Sequence, residues 1–200
     1  MQVSFLDSAF GPAASKQIQS LYPLSSYLTP WHALEMIDGD ISFACPSRRS
    51  ARWLSAGPSA LPVYLYHFIH APEVTAPDKR VLCCHSCELA FVFRYDTGLI
   101  TPGERALSSK MVGMWTAFAT NHSPADSASW PEFAASGENI VLDASALEAK
   151  LSVQSNLKQV PFSPPPALQH ASPCAQAECD FWDNLSADSL SSAVLTSQII

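Results

Sequence analysis

The sequence predicts an α/β fold built around one buried strand. Residues 61–69 are apolar on both alternations except at His67, which is typical of a strand covered on both faces inside a sheet. A helix-start pattern at 101–104, with a hydroxyl cap, a proline and a glutamate, precedes apolar residues at helical spacing up to Phe118. A hydrophobic fraction of 48% in 200 residues is enough for the core of one domain.

The first half of the chain predicts two helices. One helix is expected within residues 1–23, with Pro12 at its first position and Pro23 as its stop. Residues 24–45 show no clear period, and a second helix is expected over residues 46–56. Residues 71–80 are punctuated by proline and are expected to form a loop.

The second half predicts fewer regular elements. Residues 89–93 fit either a short strand or the start of a helix, and a short strand is expected near 139–143. A helix or a turn is expected over residues 144–158. Residues 160–173 are rich in proline and are expected to be extended at the surface of a single, partial domain that spans residues 1–200.

Composition excludes some classes of function. The net charge of -7 disfavours nucleic-acid binding, which depends on clustered Lys and Arg. No stretch approaches the roughly 20 apolar residues of a membrane span, and residues 1–16 lack the basic and apolar regions of a signal peptide. The charged fraction of 14% is low, so we expect the chain to bury much of its surface or to be part of something larger.

Residues 83–93, CCHSCELAFVF, hold the densest group of reactive side chains. Cys84 and Cys87 form a C-x-x-C pair, which leaves a redox or metal site as one interpretation. Haem attachment requires a histidine where Glu88 stands, and zinc usually requires a second pair of ligands that does not follow. The other interpretation is acid–base chemistry at His85, since histidine titrates near neutral pH.

The other histidines have simpler interpretations. His67 and His70 lie on or beside the predicted strand and are expected to be hydrogen-bonded core or rim residues. Loop positions with solvent exposure are expected for His32, His122 and His170. None of the glycines belongs to a G-x-S-x-G nucleophile elbow, so the chain offers no serine nucleophile of that kind.

Six fragments follow one another along the chain in a recognisable order. They are Asp40-x-x-Phe43-x-Cys45-Pro46, Pro62-Val63-Tyr64-Leu65-Tyr66-x-Phe68, His85-x-x-Glu88-Leu89-x-Phe91-Val92-Phe93, Leu107-Ser108-x-x-Met111-x-x-x-Trp115-x-x-Phe118-Ala119, Trp130-Pro131-x-Phe133 and Cys179-x-Phe181-Trp182. This succession resembles the C-terminal third of type-B carboxylesterases, the family of carboxylesterases, cholinesterases and fungal lipases. The resemblance runs from about Leu21 to Trp182.

The resemblance implies a fold and a set of roles. The fold would be the C-terminal part of an α/β-hydrolase, with an incomplete central sheet and flanking helices. His85 matches the catalytic histidine, Glu88 a buried carboxylate that supports it, and Asp40 a buried structural acid. Cys45 and Cys179 match a family disulfide, which would close a 134-residue loop and contribute on the order of 5 kcal/mol.

The resemblance also implies what these residues lack. The family's nucleophilic serine, its triad glutamate and its oxyanion-hole glycines lie upstream of the matching region. The chain is therefore expected to be the C-terminal portion of a serine esterase, inactive alone, and to act on small carboxylic esters only when the N-terminal part completes it. The alternative is a non-catalytic pseudoenzyme or interaction module derived from a carboxylesterase. A truncated gene model, a split gene or a remnant would each produce such a chain.

The implied chemistry needs no cofactor and no metal. A Cys45–Cys179 bond would imply an oxidising compartment, and secretion or a secretory-pathway lumen is expected if it forms. Asn184-Leu185-Ser186 is a glycosylation acceptor pattern, whereas Asn121-His122-Ser123 is a poorer one because proline follows it.

Overall fold

A computed structural model describes residues 2–27, 29–56, 61–73, 85–95, 98–124, 130–133, 137–144, 148–155 and 176–185. The chain divides into two compact units. Residues 1–49 and 158–200 form the first unit, and residues 50–157 form the second.

The described residues form six α-helices, a 3₁₀ turn, a π-helical segment and three strands. In chain order these are α1 (Gln2–Leu21), the 3₁₀ turn Leu24–Ser26, α2 (Pro30–Gly39), the π segment Asp40–Ala44, α3 (Cys45–Ser55), β1 (Tyr66–Phe68), α4 (Leu89–Val92), α5 (Pro102–Asn121), β2 (Glu138–Ala144), β3 (Ala149–Ser155) and α6 (Gln176–Asn184). None of these helices is long and apolar enough to cross a membrane.

Helix α1 consists of two helical pieces joined at Gly11. Gly11 has a φ of 78°, in the left-handed region that favours glycine. Pro12 follows it and begins the second piece, as predicted, because a fixed φ and a missing N–H suit a first helical position. The first piece was not predicted.

The segment from Pro30 to Ser55 is helical, although no period was expected over residues 24–45. The side chain of Thr29 caps α2 by accepting from the amide of His32, and Pro30 occupies the first helical turn. In the π segment, the amide of Cys45 donates to the carbonyl of Asp40 five residues earlier. The wider turn stands directly before Pro46, which has no N–H to donate.

The core of the first unit contains residues from the N-terminal and the C-terminal parts of the chain. Its fully buried side chains come from α1, the region after it, α2, α3 and α6. They are Leu6, Ile18, Tyr22, Ile37, Cys45, Cys179 and Trp182. Residues 179–183, CDFWD, lie in helix α6, which covers this core.

A mixed three-stranded sheet forms the centre of the second unit. β1 and β2 are parallel, with Tyr66 opposite Ile140, whereas β2 and β3 are antiparallel. The strand expected near 139–143 is β2. The helix or turn expected over residues 144–158 is wrong, because the alternating residues 149–155 pair along the length of β2 as β3.

The expected central strand is shorter and more exposed than predicted. Only Tyr66–Phe68 has strand structure, and β2 rather than β1 lies between two neighbours in the described sheet. Leu61 is 59% exposed, and Tyr66 is 36% exposed with its ring 5.0 Å from that of Trp115. The aromatic residues of this segment pack against other aromatic rings. A run of apolar residues in the sequence does not distinguish such packing from burial between two layers.

Helices α4 and α5 connect the parallel strands. Residues 89–92 form the short helix α4, which settles the alternative of a strand. The pattern at 101–104 is a capping box: Glu104 N–H donates to Thr101 Oγ1, and the Glu104 carboxylate accepts from Thr101 N–H. The core of this unit lies between α4, α5 and the sheet, and its buried residues are Phe68, Phe91, Leu99, Leu107, Met111, Met114, Trp130, Ile140 and Leu142.

Candidate functional site

His85 opens a tight turn that ends at Glu88. Its side chain is exposed, so a reacting group can reach the imidazole. Ser86 has a φ of 66°, and its carbonyl accepts from the amide of Leu89 at 3.2 Å. Glu88 is half-buried and stands at the N-cap position of α4. The turn thus places an accessible imidazole and a partly buried carboxylate three residues apart.

Helix α4 fixes this turn to the core. The carbonyl of Glu88 accepts from the amides of Phe91 and Val92 at 2.9 and 3.0 Å. Phe91 is fully buried, with its ring 5.0 Å from that of Phe68 on β1. The exposed His85 therefore sits on an anchored segment rather than on an isolated surface loop.

Cys87 is half-buried and disulfide-bonded, so it is not a free thiol. Cys83, Cys84 and Cys174, the cysteines other than Cys87 and the Cys45–Cys179 pair, lie outside the described residues. Within the described ranges, no group of three or more His, Cys, Asp or Glu side chains is arranged to hold a metal ion.

Asp40 lies in the first unit, whereas His85 lies in the second. Asp40 is 2% exposed, and the Tyr22 hydroxyl donates to its Oδ2 at 2.7 Å. The indole N–H of Trp182 donates in turn to the Tyr22 hydroxyl oxygen at 2.8 Å. A buried hydrogen-bond chain therefore joins Asp40 of the π segment to α6.

Cys45 and Cys179 form the disulfide that the resemblance implies. Their Cα atoms are 5.1 Å apart, and the bond joins α3 to α6. One turn further along α3, the buried Arg48 donates from Nη2 to Asp180 at 2.8 Å and to Asp183 at 3.0 Å. A covalent bond and a charged cluster thus hold the same two helices together.

Sequence reasoning missed a cluster of three titratable side chains in which the pKa values of His70 and Glu104 are shifted. His70 Nε2 lies 3.2 Å from Glu104 Oε1, and His70 Nδ1 lies 3.3 Å from Asp143 Oδ1. His70 was expected to be a hydrogen-bonded core or rim residue, and Glu104 only a helix cap. The available signal was only the position of His70 directly after the strand predicted over residues 61–69.

The remaining histidines differ in exposure. The loop exposure expected for His32 is wrong: His32 is 8% exposed because it lies in α2, and its Nδ1 is 3.0 Å from Thr29 Oγ1. His122 is exposed at the end of α5. Burial lowers the pKa of the half-buried His67 to about 4. His170, like the proline-rich residues 160–173, lies outside the described residues.

Comparisons with known proteins cover most of this chain. The sequence model of the carboxylesterase family matches residues 12–162, a range that contains the His85 turn. No curated protein matches the chain. Among solved structures, a PNB esterase has a similar fold, with a TM-score of 0.52 and 21% sequence identity over 78% of this chain. The chain spans 30% of the length of that esterase.

Proposed function

Because the chain belongs to the carboxylesterase family and has an esterase-like fold, we propose that it is the histidine-bearing portion of a carboxylic ester hydrolase. In this proposal His85 is the acid–base residue of a catalytic triad. The serine nucleophile and the triad acid belong to a part of the enzyme outside these 200 residues. The observation that carries the proposal is the exposed imidazole of His85 on an anchored turn within the range that matches the family.

The proposed role follows from the chemistry of imidazole. The serine oxygen attacks the acyl carbon of the ester while His85 accepts the hydroxyl proton, and His85 then donates that proton to the departing alkoxide. Water repeats the sequence on the acyl-enzyme. The half-buried Glu88 would act as a supporting carboxylate near the imidazole, and carboxylic esters are the proposed substrates.

The 200 residues alone are not proposed to hydrolyse esters. They contain no G-x-S-x-G segment, so the covalent step has no nucleophile of the expected kind. Without a nucleophile and oxyanion-hole donors, a histidine on a scaffold provides little rate enhancement.

The first test uses the purified 200-residue chain. Hydrolysis of p-nitrophenyl acetate should not exceed the rate of a His85→Ala variant. His122→Ala is the matched control, because it also removes an exposed histidine from the second unit. Turnover that disappears in His85→Ala and persists in His122→Ala would contradict the proposal that the chain needs a further part.

The second test examines the transcript upstream of Met1. An in-frame G-x-S-x-G segment there should yield a longer product that hydrolyses p-nitrophenyl esters and reacts with a fluorophosphonate. In that product, His85→Ala should lower kcat on the order of 10³-fold or more, while His122→Ala leaves it unchanged.

A second candidate function is a non-catalytic module derived from a carboxylesterase. The missing nucleophile elbow favours it. It predicts that no in-frame upstream segment carries a serine elbow and that the natural product does not react with a fluorophosphonate. A labelled serine in the natural product would reject this candidate.

A further inference from the structure

Two buried polar side chains of α5 lie one helical turn apart on the same face. Glu104 and Ser108 are both fully buried, which is costly unless their polar atoms have partners. Glu104 Oε2 accepts from the amides of Ile100 and Thr101 at 2.9 and 2.8 Å. Glu104 Oε1 accepts from the amide of Glu73 at 2.8 Å and lies 3.2 Å from His70 Nε2.

Ser108 forms a hydrogen bond with α4, which follows His85 in the chain. Its hydroxyl donates to the carbonyl of Phe91 at 2.8 Å, within α4. The ring of His70 packs edge-on against the ring of Phe91, with centroids 5.5 Å apart. His70 and Glu73 precede His85 in the chain and Phe91 follows it, so one face of α5 anchors the backbone on both sides of His85.

The contacts of His70 favour a charged ring. The only charged groups among the described residues that are hydrogen-bonded to it are Glu104 of α5 and Asp143 of β2, one at each ring nitrogen. A neutral imidazole donates from one nitrogen only and would face the second carboxylate with a lone pair, whereas imidazolium donates to both. The rings of Phe68 and Phe91 flank it and contribute no charge.

Electrostatics agrees with this geometry. Burial alone would lower the pKa of His70, but hydrogen bonds and charges from Asp143 and Glu104 outweigh it and raise that pKa above 6.5. Burial would raise the pKa of Glu104, but the amides of Glu73 and Thr101 and the ring of His70 lower it below 4.5. Both shifts therefore favour the ionised forms of the two partners.

We propose that His70, Glu104 and Ser108 position the segment that carries His85, and that loss of the His70 proton loosens this hold. A neutral His70 keeps a hydrogen bond to one carboxylate only, so the link between α5, β2 and the backbone at Glu73 weakens as the pH rises. His70 acts here as a positioning residue, through the backbone around His85. Only the catalytic consequence rests on the proposed function; the positioning itself is a property of this chain.

The test follows the histidine ring resonances of the isotope-labelled 200-residue chain by NMR over a pH titration. The chemical shifts of the His85 ring should show an inflection at the pKa of His70. In His70→Gln that inflection should disappear, whereas His122→Asn, a change at an exposed helix end, should leave it intact. A His85 ring whose chemical shifts show no inflection at the pKa of His70 would overturn the proposal.

Amide exchange provides an independent measurement. The exchange rates of the Glu73, Ile100 and Thr101 amides should rise several-fold as the pH passes the pKa of His70, after correction for intrinsic base catalysis. Asp143→Asn, which keeps the shape but removes one charge, should shift this transition to lower pH. Corrected rates that do not change across the titration would also overturn the proposal. Neither measurement uses esterase activity, so failure of the proposed function would leave both results interpretable.

Discussion

His67 and His70 lie three residues apart, and their pKa values are shifted in opposite directions. Burial lowers the pKa of His67 to about 4, and its Nδ1 has no hydrogen-bond partner among the described residues. The pKa of His70 lies above 6.5, chiefly because two carboxylates outweigh its burial. The surroundings thus favour the neutral ring at one position and the charged ring at the other.

These opposite shifts predict a maximum in stability. The unfolded state protonates His67 first as the pH falls, so the free energy of unfolding decreases from pH 6.5 to about 4. The contribution of His70 is complete below pH 6.5 and is lost as the pH rises through its raised native pKa. The contributions of these two groups therefore sum to a maximum near pH 6.5 in urea titrations between pH 5 and 8.

Two variants separate the contributions. His67→Leu should reduce the loss of stability on the acid side, and His70→Gln should reduce the loss on the alkaline side. Each substitution should leave the other side of the profile in place. An alkaline loss that persists unchanged in His70→Gln would show that another group causes it.

At the scale of elements, the start of α5 depends on two side chains of unequal importance. Thr101→Ala removes one cap and should lower the free energy of unfolding by about 1 kcal/mol. Glu104→Ala removes the acceptor of three amides and the partner of His70 at a fully buried position, and should cost on the order of 3 kcal/mol or more. Ser109→Ala, exposed on the same helix, should change it by less than about 0.5 kcal/mol. If urea unfolding gives equal losses of free energy for Thr101→Ala and Glu104→Ala, Glu104 does not have the larger role proposed for it.

The elements with local signals could be predicted from the sequence. The start of α5 carries its capping box in four consecutive residues, and β2 is an apolar run bounded by turn residues. Strand β3 was missed although Ala149, Leu151 and Val153 alternate with polar residues, and its place in the sheet depends on pairing with β2. The position of β1 in the sheet also depends on residues far away in sequence.

The residues of the candidate site also differ in whether the sequence could predict them. The order of fragments along the chain predicted the Cys45–Cys179 disulfide, which the structure contains, and the catalytic role of His85, which stays a prediction. The contact between His70 and Glu104 joins residues 34 positions apart and leaves no local pattern. The capping role of Glu104 explained its presence at the start of α5, so nothing indicated its second role.

At the scale of the whole molecule, the Cys45–Cys179 disulfide links the two stretches of sequence that form the first unit. Replacing Cys45 and Cys179 by serine should lower the stability of that unit, by at most on the order of 5 kcal/mol for a 134-residue loop. The buried Arg48 and its two aspartates should still favour the docking of α6. Comparing the urea unfolding of the unmodified chain with that of the double serine variant, both without a reductant, measures the magnitude, because a reductant would also cleave the disulfide of Cys87.

The division of the chain also affects the order of events during synthesis. The second unit is continuous in sequence and can fold while the ribosome is still adding residues, whereas the first unit needs α6. At about 5–20 residues per second, Cys45 waits roughly 7 to 27 s for Cys179, 134 residues later, to be made. During that interval the apolar faces of α1 and α2 lack the helix that covers them, and Cys45 lacks the thiol with which it forms its disulfide.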